Sequence, residues 1–358
     1  MNKVALIMAG GLGPKFWPKS TEKKPKQFTH LIGEGTLLQN TYNRLLSYFG
    51  KENIFLVLSY SHREHALKQI PGLSEENLIY EPFGRHTAPC TALSVNYILN
   101  KGFSDDTQLA VFPSDHIISN LGEFYTSLDI AFKCSESNNS ILTIGMEPTR
   151  PETQFGYIQI DSVDEHNSQL NYCMTFAEKP DKATAGRFIE SGDFLWNSGI
   201  FICRIRVFQE AFTKFLPEYA MKFAQLNQVF DTPKYLEELL ILYKQINSIS
   251  LDYGILEKAD NVYCVKASFN WSDLGNWDEL YRQQLKDAYN NVIMGDVVSI
   301  NNRNSFIMAN GRMIGVIGME DVIIIDSNDT LLVCKRGQSE NVQEIVDYMR
   351  RKHIHQFI

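Results

Sequence analysis

The apolar positions of this chain change period as it runs. Residues 4–8 (VALIM) are apolar without a break, the pattern of a strand buried on both faces of a parallel sheet, and the run ends at Gly10. Thr36 then stands as an N-cap before Leu37, Leu38, Tyr42, Leu45, Leu46 and Phe49, a helical stripe, and residues 54–58 (IFLVL) form the next buried strand. Strand-length runs at 109–112 and 141–146 alternate with helical patterns at 91–99 and 124–132. This alternation predicts an α/β fold with a mostly parallel, Rossmann-like, doubly wound sheet, in which ligands bind beyond the carboxyl ends of the strands. The stretch 10–26 and the turn Pro113-Ser114-Asp115-His116 both belong there, so two separate segments are expected to meet in one crevice. Residues 156–275 are mixed, with strand-like YIQI and FICR and a helix expected over 233–246, and complete the same domain. Beyond about residue 290 the texture changes to GDVVSI, NSFIMA, MIGVIG and DVIIID, short β-rich stretches divided by Asn, Gly and Asp turns, before a last helix over 341–352. Residues 1–288 are therefore expected as one large domain and 289–358 as a small β-rich one of stacked strands with a terminal helix.

Charge narrows the partners. A formal net charge of -8 argues against a broad basic face for nucleic acid or an anionic membrane, so any cationic binding site must be local. The six cysteines (Cys90, Cys134, Cys173, Cys203, Cys264 and Cys334) show no C-x-x-C pair and suit core thiols in a reducing compartment. No apolar run approaches the roughly 20 residues of a membrane span, and a cytoplasmic protein is expected.

Local positive charge lies in residues 8–28, MAGGLGPKFWPKSTEKKPKQF, with three glycines, three prolines and five lysines. Glycines let backbone N–H groups approach an anion, and lysines add charge, the usual means of cradling phosphates. The stretch lacks the G-x-x-x-x-G-K-[ST] of a P-loop, and Phe16 stands where a dinucleotide fingerprint needs its third glycine. A solvated lysine-rich surface loop is the bland alternative.

G-G-x-G followed by F-W-P and P-K-Q-F resembles the signature of the sugar-1-phosphate nucleotidyltransferases, and in its W-P and P-K-Q-F details that of the mannose-1-phosphate guanylyltransferases. EPFGRHTAP (81–89), FPSDH (112–116), PTRPETQFGYI (148–158), FAEKPD (176–181), FLWNSGIF (194–201), SISLDYGILEK (248–258) and WSDLGNWDEL (271–280) resemble further blocks of that family, in its order. The resemblance implies a nucleotidyltransferase (GT-A-like) domain followed by a partial left-handed β-helix. It implies transfer of GMP from GTP to mannose 1-phosphate by in-line attack on the α-phosphate, with Mg2+ as cofactor and no covalent enzyme intermediate. Asp115 and Asp273 are then the metal ligands, and Lys15, Lys26, Asp115 and Asp273 the catalytic set. Gly10, Gly11, Gly13, Lys26, Thr87, Ala88, Ser114 and Asp115 are implied at the nucleotide. Gly156, Glu178, Lys179, Asn197 and Asp252 are implied at the sugar phosphate. Taken singly, either metal aspartate is also at home as a cap or turn residue, Glu178 and Lys179 as an exposed ion pair, and Asp252 as the cap of a helix starting near Tyr253. His116 is expected as a hydrogen-bonded neighbour, and the four tryptophans as packing residues.

The chain departs from the family pattern after G-G-x-G, where a small or polar residue and an arginine usually stand. Pro14 has no N–H to offer a phosphate, and Lys15 keeps the charge but loses the bidentate fork. Two alternatives stay open beside the guanylyltransferase: transfer to another hexose or heptose 1-phosphate or from another nucleoside triphosphate, and a sugar-nucleotide-binding regulatory homologue of weak activity. No cupin-like isomerase domain is expected after residue 358, and the resemblance makes a homodimer one expected assembly.

Overall fold

The computed structural model describes residues 2–162, 169–327 and 329–358. Its chain forms two compact units, one of Met1–Gly10 with Thr41–Trp271 and one of Gly11–Asn40 with Ser272–Ile358. A single cut after residue 288 is contiguous, whereas these units are not. The reason is local packing: Phe16 lies 4.9 Å from Trp277, centroid to centroid, and the Trp277 indole N–H donates to the carbonyl of Trp17 at 3.0 Å. The loop thus groups with the C-terminal residues.

The first unit is built on β1 (Lys3–Met8), β2 (Ile54–Ser59), β3 (Leu78–Glu81), β4 (Gln108–Pro113), β5 (Ile117–Ser119), β6 (Ile141–Met146), β7 (Gly156–Ser162), β8 (Leu170–Glu178), β9 (Phe194–Arg204), β10 (Val262–Ala267) and β11 (Asn270–Ser272). Nine of these make one sheet in the order β3-β2-β1-β4-β9-β6-β10-β8-β7, while β5 pairs with β11. The first four strands are parallel, with Lys3 to Met8 registered against Gln108 to Pro113. Strand β9 runs against both β4 and β6, so the second half of the sheet is mixed. Continuous apolar runs explain the interior strands: Val4, Ala5, Leu6 and Ile7 are fully buried.

Helices α1 (Leu37–Phe49), α2 (Arg63–Gln69), α3 (Thr87–Asn100), α4 (Leu121–Ser137), α5 (Lys182–Ser191), α6 (Ile205–Phe215), α7 (Pro217–Asn227) and α8 (Tyr235–Gln245) occupy the connections. Every expected strand and helix of the first half is present, with bounds shifted by a few residues. The α1 stripe is narrower than expected, because Leu46 is 39% exposed, one step of helical rotation beyond Leu45. Five of the cysteines are buried, Cys334 is half-buried, and all are free thiols.

The second unit carries α9 (Trp277–Gln283), β12 (Val292–Met294), β13 (Val297–Ile300), β14 (Phe306–Met308), β15 (Ile314–Ile317), β16 (Val322–Ser327), β17 (Thr330–Lys335) and α10 (Val342–Arg351). β12, β14 and β16 stack in parallel, as do β13 and β15, each short strand lying above its equivalent one coil away. Buried asparagines stitch the coils together: Asn291 Nδ2 donates to the carbonyl of Asn302 at 2.9 Å and Asn302 Nδ2 to that of Val316 at 2.8 Å. Such ladders satisfy turn backbone that would otherwise be buried unpaired.

Candidate active site

The loop after β1 is shaped by one glycine and one lysine. Gly13 has φ of 64°, and a Cβ built on it would come within 2.4 Å of the Lys26 Cβ, so conformation and space both demand glycine. Pro14 opens a single 3-10 turn over Pro14–Phe16, where its fixed φ fits, and Lys15 within it forms an ion pair with Glu340. The other Glu340 oxygen accepts from Asn276 Nδ2 at 2.9 Å. Lys26 is only 5% exposed, and its ammonium donates to the backbone carbonyl of Asp273 at 3.0 Å. Gln27 ties the loop back on itself through the Gly11 carbonyl at 2.9 Å. Within the second unit, therefore, Gly13, Lys26 and Asp273 are brought together. Asp273 sits in a constrained turn, since the next residue, Leu274, is fully buried with φ of 48°.

In the first unit, β1 and β4 are neighbours that lead to opposite halves of the sheet, and the chain leaves both at the same edge. Ser114 N–H donates to the Met8 carbonyl at 3.1 Å, which places the Asp115 turn beside Ala9 and Gly10. A Cβ on Gly10 would lie 3.0 Å from Glu81 Oε2. Burial pushes the Glu81 carboxyl up to about 7, against opposing hydrogen bonds from Tyr243 and Cys90. His116 Nδ1 accepts from the Trp271 indole N–H at 3.1 Å, as expected of a hydrogen-bonded neighbour. Trp17, Trp196 and Trp277 are buried, whereas Trp271 is only partly so. The Thr87 hydroxyl accepts from the N–H of Leu251 at 2.7 Å, and Ala88 N–H donates to the Ile249 carbonyl at 3.2 Å. Both residues thus fasten the segment that leads into Asp252.

A second group of the first unit gathers four of the sugar-phosphate candidates. Gly156 and Glu178 face each other across β7 and β8, so closely that a Cβ on Gly156 would stand 2.6 Å from Glu178 Oε2. Asn197, on β9, donates from Nδ2 to Asp252 Oδ1 at 2.8 Å, while its Oδ1 accepts from the Thr143 hydroxyl at 3.2 Å and from Gly199 N–H at 3.1 Å. Asp252 does not cap the turn it begins: its carboxylate is taken by Asn197, a partner from a distant strand. Burial, reinforced by the charge of Glu178, pushes Asp252 up to about 6. Lys179 extends from the end of β8 with φ of 48° and lies 3.5 Å from Glu178, on the exposed side.

Sequence patterns pass over four residues of these networks. Glu81 opens the EPFGRHTAP stretch with nothing local to single it out, and Thr41, Arg44 and Glu340 carry no local signal. Arg44 is buried in α1, and burial lowers its guanidinium to about 10. Among the described residues no three or more His, Cys, Asp and Glu cluster so as to hold a metal ion by themselves. A carboxylate oxygen, as Asp115 and Asp273 each carry, is the kind of hard donor that Mg2+ takes, one or two at a time, with waters and substrate phosphates completing the shell.

No helix among the described residues is long and apolar enough to cross a membrane. Residues 4–290 match the family model described as nucleotidyl transferase, and residues 295–349 that of the MannoseP isomerase/GMP-like beta-helix domain. The chain is 32% identical over 346 residues to the alginate biosynthesis protein AlgA of Pseudomonas syringae pv. tomato, covering 96% of this chain and 71% of that protein. It is 32% identical over 350 residues to a mannose-1-phosphate guanylyltransferase of Escherichia coli, covering 97% and 74%. A solved structure from Thermus thermophilus, described as a mannose-1-phosphate geranyltransferase, superposes with a TM-score of 0.88 at 30% identity over 98% of this chain and all of that one. With its loop, its Rossmann-like sheet and its stacked C-terminal strands accounted for, the chain belongs to the nucleotidyl transferase family, alongside the mannose-1-phosphate guanylyltransferases and AlgA proteins.

Proposed function

We propose that this chain transfers GMP from GTP to α-D-mannose 1-phosphate, forming GDP-mannose and pyrophosphate. Near-full-length likeness to guanylyltransferases, at 32% identity to the Escherichia coli protein, carries the assignment. Gly10, Gly11 and Gly13 admit the phosphates to the backbone, and Lys15 and Lys26 supply fixed positive charge against them. Thr87, Ala88 and Ser114 line the nucleoside. Gly156 leaves room at the sugar, Glu178, Asn197 and Asp252 bind its hydroxyls, and Lys179 meets its phosphate. The phosphate oxygen of mannose 1-phosphate attacks the α-phosphorus in line and pyrophosphate departs, so orientation and charge neutralisation are the protein's whole task. Asp115 and Asp273 would hold Mg2+, which would supply charge neutralisation at the α-phosphate and the leaving pyrophosphate. Residues 1–288 act as the transferase module and 289–358 as its β-rich companion, in a cytoplasmic homodimer. Exposed apolar residues on the C-terminal strands, among them Val298, Ile317 and Val333, support that assembly, which sedimentation checks.

Pyrophosphate release with mannose 1-phosphate and GTP, ATP, UTP, CTP or dTTP offered separately tests the assignment. Turnover confined to GTP is expected, and preference for another nucleotide or another sugar phosphate overturns it. The second reading, a sugar-nucleotide-binding homologue of low turnover, is favoured by Pro14 and by the pairing of Lys15 with Glu340. Its signature is calorimetric binding of GDP-mannose without pyrophosphate release.

A further inference from the structure

Helix α1 places a guanidinium behind the turn that carries Asp115. Arg44 is 8% exposed, and among the described residues no carboxylate pairs with it. Its Nη2 donates to Thr41 Oγ1 at 2.9 Å and to the carbonyl of His116 at 3.3 Å, while the Thr41 hydroxyl donates to the carbonyl of Ser114 at 3.1 Å. The two carbonyls so held stand on either side of Asp115. Arg44 is itself fixed from below: its guanidinium lies over the Phe124 ring, 5.8 Å from the centroid, and its own carbonyl accepts from the Tyr125 hydroxyl at 2.8 Å. Its Nε is buried and makes no hydrogen bond among the described residues.

A charged group this deep is costly to desolvate, and filling the same space needs only an aliphatic side chain. Packing alone therefore does not account for it, and both lines of contact end on the same turn. Both act on backbone carbonyls of that turn, at Ser114 and His116, so they fix the direction in which the residue between them points. We propose that Arg44 and Thr41 are positioning residues for Asp115: by pinning the carbonyls of Ser114 and His116 they hold the Asp115 carboxylate in one direction, ready for the metal-nucleotide. The inference rests on Asp115 being a metal ligand. Mutating residues that orient a metal ligand from behind typically costs about 10- to 100-fold in metal affinity or activity.

The test is Mn2+ binding to the full chain in the presence of GTP, followed by electron paramagnetic resonance of the free ion, beside steady-state kinetics. Thr41→Val keeps the side-chain shape without the hydroxyl, and Thr41→Ser restores it. Arg44→Met removes the guanidinium, and Arg44→Lys keeps its charge. Thr41→Val and Arg44→Met are expected to weaken Mn2+ binding by about tenfold and to lower kcat, leaving the KM for mannose 1-phosphate unchanged, with Thr41→Ser near wild type. Variants that melt earlier yet bind Mn2+ as the wild type does would show a purely structural role and overturn the proposal. Should Arg44→Met fail to fold, the Thr41 pair decides alone. Asp115→Asn separates the two premises: unchanged Mn2+ binding there refutes the ligand assignment, whereas lost binding there with unchanged binding in Thr41→Val refutes the positioning role.

Discussion

The two regions that carry the candidate chemistry handle charge in opposite ways. Around Asp252 carboxylates are gathered and desolvated: burial and Glu178 together raise Asp252, and the same two influences raise Glu257. In the loop of the second unit cations are gathered, and two of them are tied to acceptors, Lys26 to the Asp273 carbonyl and Lys15 to Glu340. The difference matches the two substrates proposed for these regions. Neutral hydroxyls are held well by acceptors out of water, where an unsatisfied group would be expensive, whereas a polyphosphate needs cations that keep their charge. Backbone geometry follows suit. Register across β7 and β8 sets Gly156 against Glu178, while the loop has no ladder and relies on the left-handed Gly13 fitted against the Lys26 stem.

Removing Lys26 should break the comparison most severely. Lys26→Ala is expected to lower kcat by about 10² to 10³, the range for losing one preorganised charge-stabilising donor, and Gly13→Ala to follow it because its Cβ needs the Lys26 position. Pyrophosphate release measures both, and retention of more than about a tenth of wild-type kcat in Lys26→Ala would count against a phosphate role.

Asp252→Asn attacks the other region. Losing a charge-capable acceptor should raise the KM for mannose 1-phosphate by about 10- to 100-fold, with the KM for GTP little changed. A matched rise in both would mean that the two regions are not chemically separate.

The pH dependence of stability sharpens the desolvation half of the contrast. Glu81 is pushed up to about 7 from the ordinary 4.5, so the native state favours its protonated form. Its contribution is full below the ordinary value and is lost as pH rises through about 7, a change on the order of 3 kcal/mol. Denaturant midpoints from pH 4 to 8 should therefore fall less steeply in Glu81→Gln than in the wild type. Parallel curves would mean that Glu81 is not held protonated.

The smallest effect belongs to the Lys15 pair. Glu340→Gln should lower the KM for GTP by about two- to fivefold, the worth of a half-exposed ion pair, because the carboxylate that competes with phosphate for the ammonium is then neutral. Calorimetry of GTP binding gives the same comparison without turnover, and weaker binding would make Glu340 a support for the loop.

The parallel strands β1, β2 and β4 were legible because strands covered on both faces must be apolar at every position, as residues 4–7 and 54–58 are, whereas the short β3 was not. Strand β9 was not, because FLWNSGIFICR gives no sign of the direction in which it crosses β4 and β6. Motif blocks named Lys26, Asp273, Asn197 and Asp252, but not the bonds among them. The alternative of Asp252 as a helix cap was reasonable locally and fails because Asn197 arrives from another strand.

Local chemistry along the chain was thus enough for most strands and helices of the first half, for the stacked C-terminal strands and for the family to which the protein belongs. Each of these depends on periodicity, on backbone conformation or on residue order, all properties of neighbouring positions. Tertiary structure alone decided that Lys26 is buried on the carbonyl of Asp273, that Glu81 is desolvated beside Gly10, and that Arg44 and Thr41 hold the turn around Asp115. Those outcomes depend on which groups lose water and which partners replace it, and such partners lie tens to hundreds of residues apart.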